Sequence, residues 1–161
     1  MDTKFKQRVN NFLEQKTIAV AGYSSEGAEV ANHLYDKFET NGYKVFAVNP
    51  KAVEVKNITC YPDLKSIPEK VDAVMISTPP KGTLEVIQEC IELGIKHVWV
   101  HKSMGEGSFN KEAIELAEKN GIEIIPMACP MMFLKPDGFH KCFKWILNLR
   151  GKLKIKEVQS N

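Results

Sequence analysis

The chain has 161 residues, of which 43% are hydrophobic, and this is enough for one domain with one substantial core. Its 22 basic and 20 acidic residues are well mixed, which excludes the basic surface expected of a protein that binds nucleic acid or a membrane. The first residues lack the apolar core of a signal peptide and no apolar segment is long enough to cross a bilayer, so we expect a cytoplasmic protein.

The chain begins with a helical pattern and continues with a strand. Residues 3–15 carry apolar side chains at helical spacing, namely Phe5, Val9, Phe12 and Leu13. This spacing predicts an amphipathic helix on the outside of a sheet. The apolar run at 18–21 predicts a strand buried on both faces, and a second helix is indicated by Val30, Leu34 and Phe38.

A glycine that ends a helix and directly precedes an apolar strand recurs three times. The glycines are Gly42, Gly94 and Gly121, and the strands that follow them are predicted at 43–48, 95–100 and 122–125. A short extended piece at 59–61 predicts an edge strand.

Another buried strand is predicted at 71–77, and prolines 79 and 80 suit the first turn of the helix that follows it. This alternation of strands and crossover helices predicts an α/β fold, a Rossmann-like doubly wound parallel sheet with helices on both faces.

The pattern changes after the last strand. Residues 126–138 predict a loop that contains several prolines and unusually many apolar residues. Residues 138–149 predict an amphipathic helix with Phe139, Phe143, Ile146 and Leu147 on one side. The tail at 151–161 is polar and lysine-rich, and we expect it to fray. The whole chain is predicted to be a single domain with its core at about 16–130.

Ligands of doubly wound sheets bind beyond the carboxyl ends of the strands, which makes the loops at 22–27, 49–51 and 77–80 the candidates. The first loop has Ser24 where the dinucleotide fingerprint has its middle glycine. We expect its backbone N–H groups and the positive helix end to bind phosphate, with Ser24 and Ser25 as hydroxyl donors and helix caps. The alternative is a simple capped turn.

The end of the second strand distinguishes between nucleotide ligands. NAD sites usually have an acidic residue there for the ribose, whereas this chain has Asn49 and Lys51. A lysine favours a ligand with an extra phosphate on its adenosine ribose, and both coenzyme A and NADP qualify. The alternative for Lys51 is a solvated surface lysine. A P-loop is excluded because no Gly-Lys-Ser/Thr follows the first strand.

Taken together, the motifs at 22–25, 48–50, 77–80 and 98–100 and the Cys129 loop resemble the small stand-alone CoA-binding proteins. These are similar to the CoA-binding amino-terminal domain of the succinyl-CoA synthetase alpha subunit and of related acyl-CoA synthetases. The resemblance covers about residues 16–130 and implies that coenzyme A or an acyl-CoA is the ligand.

The resemblance also implies a part of the ligand for each loop. Gly22, Ser24, Ser25 and Gly27 would bind the pyrophosphate, with Tyr23 in the same loop. Adenosine and its 3′-phosphate would be flanked by Val48, Asn49, Pro50 and Lys51. The other side would be lined by Ser77, Thr78 and Pro79, with His101 near the pantetheine arm.

Catalytic residues are not indicated. The histidines lack the spacing of a triad, and the synthetase phosphohistidine lies in a later domain that this sequence does not contain. Cys129 could meet the CoA thiol and form a mixed disulfide, or it could be a small buried residue. The apolar residues Met127, Met131, Met132 and Phe133 could line an acyl pocket or pack in the core. Cys129, His140 and Cys142 match no zinc spacing, so no metal is predicted.

The sequence therefore favours a non-catalytic CoA-binding protein. One alternative is an NAD(P)-binding redox sensor or oxidoreductase, and another is the CoA-binding subunit of an acyl-CoA synthetase assembly. The expected partners are the CoA ligand and either a second copy or a synthetase chain. Fold alone does not decide between them.

Overall fold

A computed structural model describes residues 1–25, 29–51, 54–55, 57–102 and 107–155. Within them, the strands are β1 (Thr17–Ala21), β2 (Lys44–Val48), β3 (Glu54–Val55), β4 (Ile58–Tyr61), β5 (Ala73–Ile76), β6 (His97–His101) and β7 (Glu123–Ala128). The helices are α1 (Thr3–Leu13), α2 (Val30–Glu39), α3 (Pro80–Glu92), α4 (Lys111–Lys119) and α5 (Gly138–Leu149), and a 3-10 turn lies at Pro130–Met132.

The strands of the described residues form one seven-stranded sheet in the order β3-β4-β2-β1-β5-β6-β7. All pairs are parallel except β3 with β4. The chain moves outward from β1 to β2 and β4, and then returns to place β5 on the other side of β1. This reversal confirms the predicted doubly wound, Rossmann-like sheet, and its switch point lies between β1 and β5.

The sheet separates two hydrophobic cores. Ile18 and Val20 of β1 belong to one core, and Ala19 and Ala21 belong to the other, because successive side chains of a strand point to opposite faces. The first core is covered by α1 and α2, and the second by α3 and α4. Burial on both faces explains why the strand patterns are apolar throughout rather than alternating.

Helix α1 is fixed to the first core by its aromatic face. Phe12 packs edge-on against Trp99 of β6, with the ring centroids 5.3 Å apart. The indole N–H of Trp99 donates to the carbonyl oxygen of Ala128 at 3.0 Å, so the largest buried side chain has its polar atom paired. These two contacts join α1, β6 and β7.

Two strand predictions are wrong in detail. The piece at 59–61 is not an edge strand, because β4 lies between β2 and the two-residue strand β3. The last strand does not end at Ile125 but continues through Pro126 to Ala128. Proline is tolerated there because β7 is an edge strand, where one side needs no N–H donor, and the β6–β7 register shifts between Trp99 and His101.

The carboxyl-terminal segment also differs from expectation. Phe143 and Leu147 pack against the first core, but Phe139 is 71% exposed and stacks on Phe143 from outside. The tail does not fray at its start, because Leu153 and Ile155 are buried and Asp2 bonds to the backbone of both. The rest of the predicted tail, 156–161, lies outside the described residues. No helix in the described part is long and apolar enough to span a bilayer.

Candidate functional site

A cleft runs along the carboxyl edge of the sheet, across the switch point. It consists of one cavity of about 390 Å³ and another of about 670 Å³, which share Gly22, Ser24, Thr78 and Pro79. The smaller cavity extends past β6 to His101 and Ser108. The larger one extends past β2 to Asn49 and Lys51. The two cavities therefore form one elongated trough.

Gly22 lets the ends of β1 and β5 approach each other. It has a φ of +101°, and a Cβ at this position would lie 2.6 Å from the carbonyl oxygen of Ser77. A real side chain cannot occupy that space, and the backbone conformation itself favours glycine. The glycine that the sequence indicated is therefore required by backbone packing beneath the cleft.

The backbone donors of the Gly22 turn are bonded within the protein. The N–H groups of Gly22 and Tyr23 donate to the carbonyl oxygen of Val48 at 3.0 and 3.2 Å. The N–H of Ser24 donates to Oδ1 of Asn32 at 2.9 Å, and Nδ2 of Asn32 donates to the Ser24 carbonyl oxygen at 3.0 Å. The expectation that N–H groups of this loop converge on a phosphate is thus wrong for these three residues.

The predicted helix cap is also corrected. The N-cap of α2 is Glu29, so Ser24 and Ser25 are not the capping residues. Glu29, Val30 and Ala31 line the smaller cavity, which places the positive end of α2 beside the cleft. Gly27 of the predicted site lies outside the described residues.

Asn49 connects the two loops of the larger cavity. Its Nδ2 donates to the carbonyl oxygen of Tyr23 at 2.7 Å, and its Oδ1 accepts from the backbone N–H of Lys51 at 2.8 Å. Asn49 occupies the position where NAD sites carry an acidic residue. Its side chain therefore orients the Lys51 turn against the Gly22 turn. Tyr23 itself is buried, with its ring edge-on against Tyr35, and burial raises the pKa of its phenol.

Three residues that line the larger cavity were not anticipated from the sequence. Lys81, Gly82 and Glu85 lie in the first two turns of α3 and line the larger cavity together with Lys51. Two cations thus face this half of the cleft, with one carboxylate four residues from Lys81. The prolines had indicated that a helix begins at this edge, so Lys81 could have been found by extending the candidate loop by one residue into that helix.

The smaller cavity is bounded by a buried histidine. His101 is only 6% exposed, and burial lowers the pKa of its imidazole, which keeps the ring neutral at neutral pH. The chain returns beside it, where the N–H of Ser108 donates to the His101 carbonyl oxygen at 3.0 Å. Gly107 is needed for this return, since a Cβ there would lie 2.7 Å from the same oxygen.

Most of the predicted site residues lie together in this cleft. Those that line it are Gly22, Tyr23, Ser24, Ser25, Asn49, Pro50, Lys51, Ser77, Thr78, Pro79 and His101. Val48 does not line it, because the side chain is buried in the second core and only its carbonyl supports the Gly22 turn.

Cys129 lies in the first hydrophobic core with Met132 and lines neither cavity of the cleft. Burial raises the pKa of its thiol, which disfavours the thiolate that disulfide exchange requires. Met131 and Phe133 pack against the same core, in agreement with the packing interpretation. Within the described residues, His, Cys, Asp and Glu form no group of three that could hold a metal ion.

A doubly wound sheet with a glycine turn after its first strand and a ligand-sized cleft at its switch point defines a nucleotide-binding class of domain. The family model described as CoA binding domain matches residues 16–135. The chain belongs to this CoA-binding family.

Its relatives include larger ligases. The chain is 32% identical over 117 residues to ADP-forming acetate–CoA ligase II of Archaeoglobus fulgidus, with 68% of this chain and 17% of the ligase covered. It is 32% identical over 125 residues to the alpha subunit of ADP-forming acetate–CoA ligase II of Pyrococcus furiosus, with 73% and 27% covered. The protein is therefore a CoA-binding domain homologous to acyl-CoA synthetase alpha subunits, and it spans about a quarter or less of these relatives.

Solved structures share the fold of this chain. A hypothetical protein from Pyrococcus horikoshii OT3 superposes with a TM-score of 0.71 at 31% identity, with 79% of this chain and 87% of that chain covered. A dinucleotide-forming acetyl-coenzyme A synthetase 1 from Ca. Korarchaeum cryptofilum gives a TM-score of 0.58 at 29% identity, covering 68% of this chain and 25% of that chain. The fold thus occurs both in short chains and within long synthetases.

Proposed function

We propose that this protein binds coenzyme A or an acyl-CoA along the cleft, with the 3′-phosphate end at Lys51 and the pantetheine arm toward His101. The observation that carries the proposal is the continuous trough from Lys51 to His101 across the switch point. An elongated ligand with a charged nucleotide end and a neutral arm matches a trough whose cations lie in one half. Membership of the CoA-binding family supports the same ligand.

The charges favour a nucleotide with a phosphate on its ribose. Lys51 and Lys81 line the half of the cleft beyond β2, and Asn49 replaces the acid that would bind an unphosphorylated ribose diol. Both lysines are exposed, so their attraction for a phosphate is partly screened by water and salt. We therefore propose that they select between ligands more than they supply total affinity.

The pyrophosphate would then be bound by side chains and by the beginning of α2. Since the N–H groups of Gly22, Tyr23 and Ser24 have partners, the proposed donors are the hydroxyls of Ser24 and Ser25 and the helix end beside them. The Gly/Ser loop in this proposal acts as a shaped turn with hydroxyl donors, rather than as a ring of backbone amides.

We further propose that the protein holds its ligand without catalysis of its own. Among the residues that the structure describes, His101 is the only histidine that lines the cleft. Its neutral ring lacks a carboxylate partner in the described part of the chain. No lining residue in that part is a cysteine, which leaves no thiol nucleophile beside the arm.

A second candidate is the CoA-binding component of an acyl-CoA synthetase assembly. The specific observation is that the chain aligns with 27% of a ligase alpha subunit. In that case a separate chain would supply the remaining steps, and the cleft described here would present the thiol of CoA to it.

Isothermal titration calorimetry with CoA, dephospho-CoA, NADP, NAD and ATP tests the proposal. We expect CoA to bind most tightly, dephospho-CoA more weakly, and NAD and ATP least. Saturable binding of NADP in preference to CoA would favour the oxidoreductase alternative. No heat with CoA at millimolar concentration would contradict the proposed function.

A further inference from the structure

Three residues beside the cleft form a short hydrogen-bonded chain. Thr83 of α3 is fully buried, and its hydroxyl donates to the carbonyl oxygen of Ser108 at 2.8 Å. The hydroxyl oxygen of Thr78, which lines both cavities, lies 3.2 Å from that of Thr83. These hydrogen bonds thus link Thr78 at the cleft to the buried Thr83 and, through it, to the backbone of Ser108.

The direction of this chain follows from counting protons. A threonine hydroxyl has one proton and two lone pairs, and a carbonyl oxygen can only accept. Because Thr83 gives its proton to Ser108, Thr78 must be the donor between the two hydroxyls. The single proton of Thr78 therefore points inward, and its oxygen offers only lone pairs to the cleft.

The neighbouring backbone holds this arrangement in place. Ser108 is 2% exposed and is fixed by its N–H bond to His101, while Nδ2 of Asn110 donates to the carbonyl oxygen of Pro80 at 2.9 Å. On the other side, a Cβ on Gly82 would lie 3.3 Å from the Cβ of Thr78. Rotating the Thr78 proton toward the cleft would leave the buried Thr83 oxygen without its donor, which is unfavourable.

We infer that Thr83 is a positioning residue that makes Thr78 a hydrogen-bond acceptor for an N–H group of the ligand. The inference rests on the proposed function, and with CoA as the ligand the donor is an amide N–H of the pantetheine arm. A phosphate oxygen would meet lone pairs at Thr78 and is disfavoured there. Thr78 lines both cavities, so this contact lies where the two halves of the cleft meet, between Lys51 and His101.

Calorimetry with two ligands tests the inference. CoA has the arm and its amides, whereas adenosine 3′,5′-bisphosphate has the nucleotide and the 3′-phosphate but no amide. We expect Thr78→Val to weaken CoA about fivefold, the equivalent of one neutral hydrogen bond, and to leave the bisphosphate unchanged. Thr83→Val should weaken CoA selectively in the same way, and Thr83→Ser, which keeps the hydroxyl, should restore wild-type binding.

Thr59→Val is the matched control, because Thr59 is exposed on β4 and lines neither cavity. Equal losses for both ligands in Thr78→Val, or unchanged CoA binding, would overturn the inference. A Thr83→Ser protein as weak as Thr83→Val would also overturn it. If Thr83→Val does not fold, Thr78→Val compared with Thr78→Ser decides the question. Failure of the wild-type protein to bind CoA is a different result, since it removes the proposed function itself.

Discussion

The Cα of Gly22 faces the backbone of Ser77 so closely that a methyl group between them would lie 2.6 Å from the Ser77 carbonyl oxygen. These two residues directly follow β1 and β5, the strands on either side of the switch point. Their approach brings the Gly22 and Thr78 turns together at the part of the cleft that the two cavities share. The stability of the fold and the shape of the site therefore depend on the same contact.

Gly22→Ala should destabilise the protein strongly. Alanine is strained in this left-handed backbone conformation, and its methyl group would also clash with the Ser77 backbone. Together these two effects should lower the free energy of unfolding by roughly 2–4 kcal/mol. The matched control is Gly42→Ala, which has a φ of +87° but no atom within 4 Å of its Cβ, so only the conformational cost of about 1 kcal/mol applies. Urea unfolding measures both, and equal losses would contradict the close-contact account.

Asn32 should be essential for the shape of the Ser24 turn. Its side chain is 6% exposed and makes both hydrogen bonds to the Ser24 backbone. Asn32→Ala removes both of these hydrogen bonds to the half-buried Ser24 backbone, at a cost of about 1–3 kcal/mol for the two, and should also weaken CoA binding. Asn120→Ala, at an exposed helix end, provides the control. Urea unfolding measures the stability of the two variants, and calorimetry measures their CoA binding. Equal stability and equal CoA binding in Asn32→Ala and Asn120→Ala would refute this role.

Some of these features follow from local sequence and others do not. The strands beyond Gly42, Gly94 and Gly121 could be placed because glycine ends a helix and an apolar run begins the strand. The two-residue β3 has too few residues to carry a pattern, and Pro126 masks the continuation of β7. The short β3 and the proline in β7 are both possible because these strands lie at the edges of the sheet. Which strands lie at the edges is a property of the assembled sheet.

For the site as well, some features could be predicted from the local sequence and others could not. Its loops could be located because parallel strands end at one edge, and Lys51 stood out as a cation where an acid is usual. The bonds of Asn32 to Ser24 and of Thr83 to Ser108 could not be found, because each joins residues from separate elements and neither residue type has a motif around it. The carboxyl-terminal tail likewise depends on Asp2, 153 positions away from Ile155.

Removing cations from the larger cavity should reduce discrimination between ligands. Lys51→Ala and Lys81→Ala should each reduce the preference for CoA over dephospho-CoA about two- to fivefold, since an exposed ion pair contributes up to about 1 kcal/mol. Raising the salt concentration should reduce the wild-type preference as well. Lys119→Ala, at the exposed end of α4, is the control. An unchanged preference in the double variant would exclude both lysines from the 3′-phosphate site.

Buried His101 should make stability depend on pH. Because burial lowers its pKa in the folded protein below the ordinary 6.5, the unfolded chain binds the proton more readily. The stabilising contribution is complete above pH 6.5 and decreases as the pH falls from there toward the folded-state pKa. Urea unfolding between pH 7.5 and 5.5 should show a steeper loss for the wild-type protein than for His101→Gln, and parallel curves would argue against a buried neutral ring.

The most direct test of the account is a crystal structure of the protein with coenzyme A. We predict density along the carboxyl edge of the sheet, with the 3′-phosphate within hydrogen-bonding distance of Lys51 or Lys81, the diphosphate at Ser24 and Ser25, and the arm passing Thr78 toward His101. Coenzyme A bound elsewhere, or a trough closed by its own side chains under saturating ligand, would contradict it.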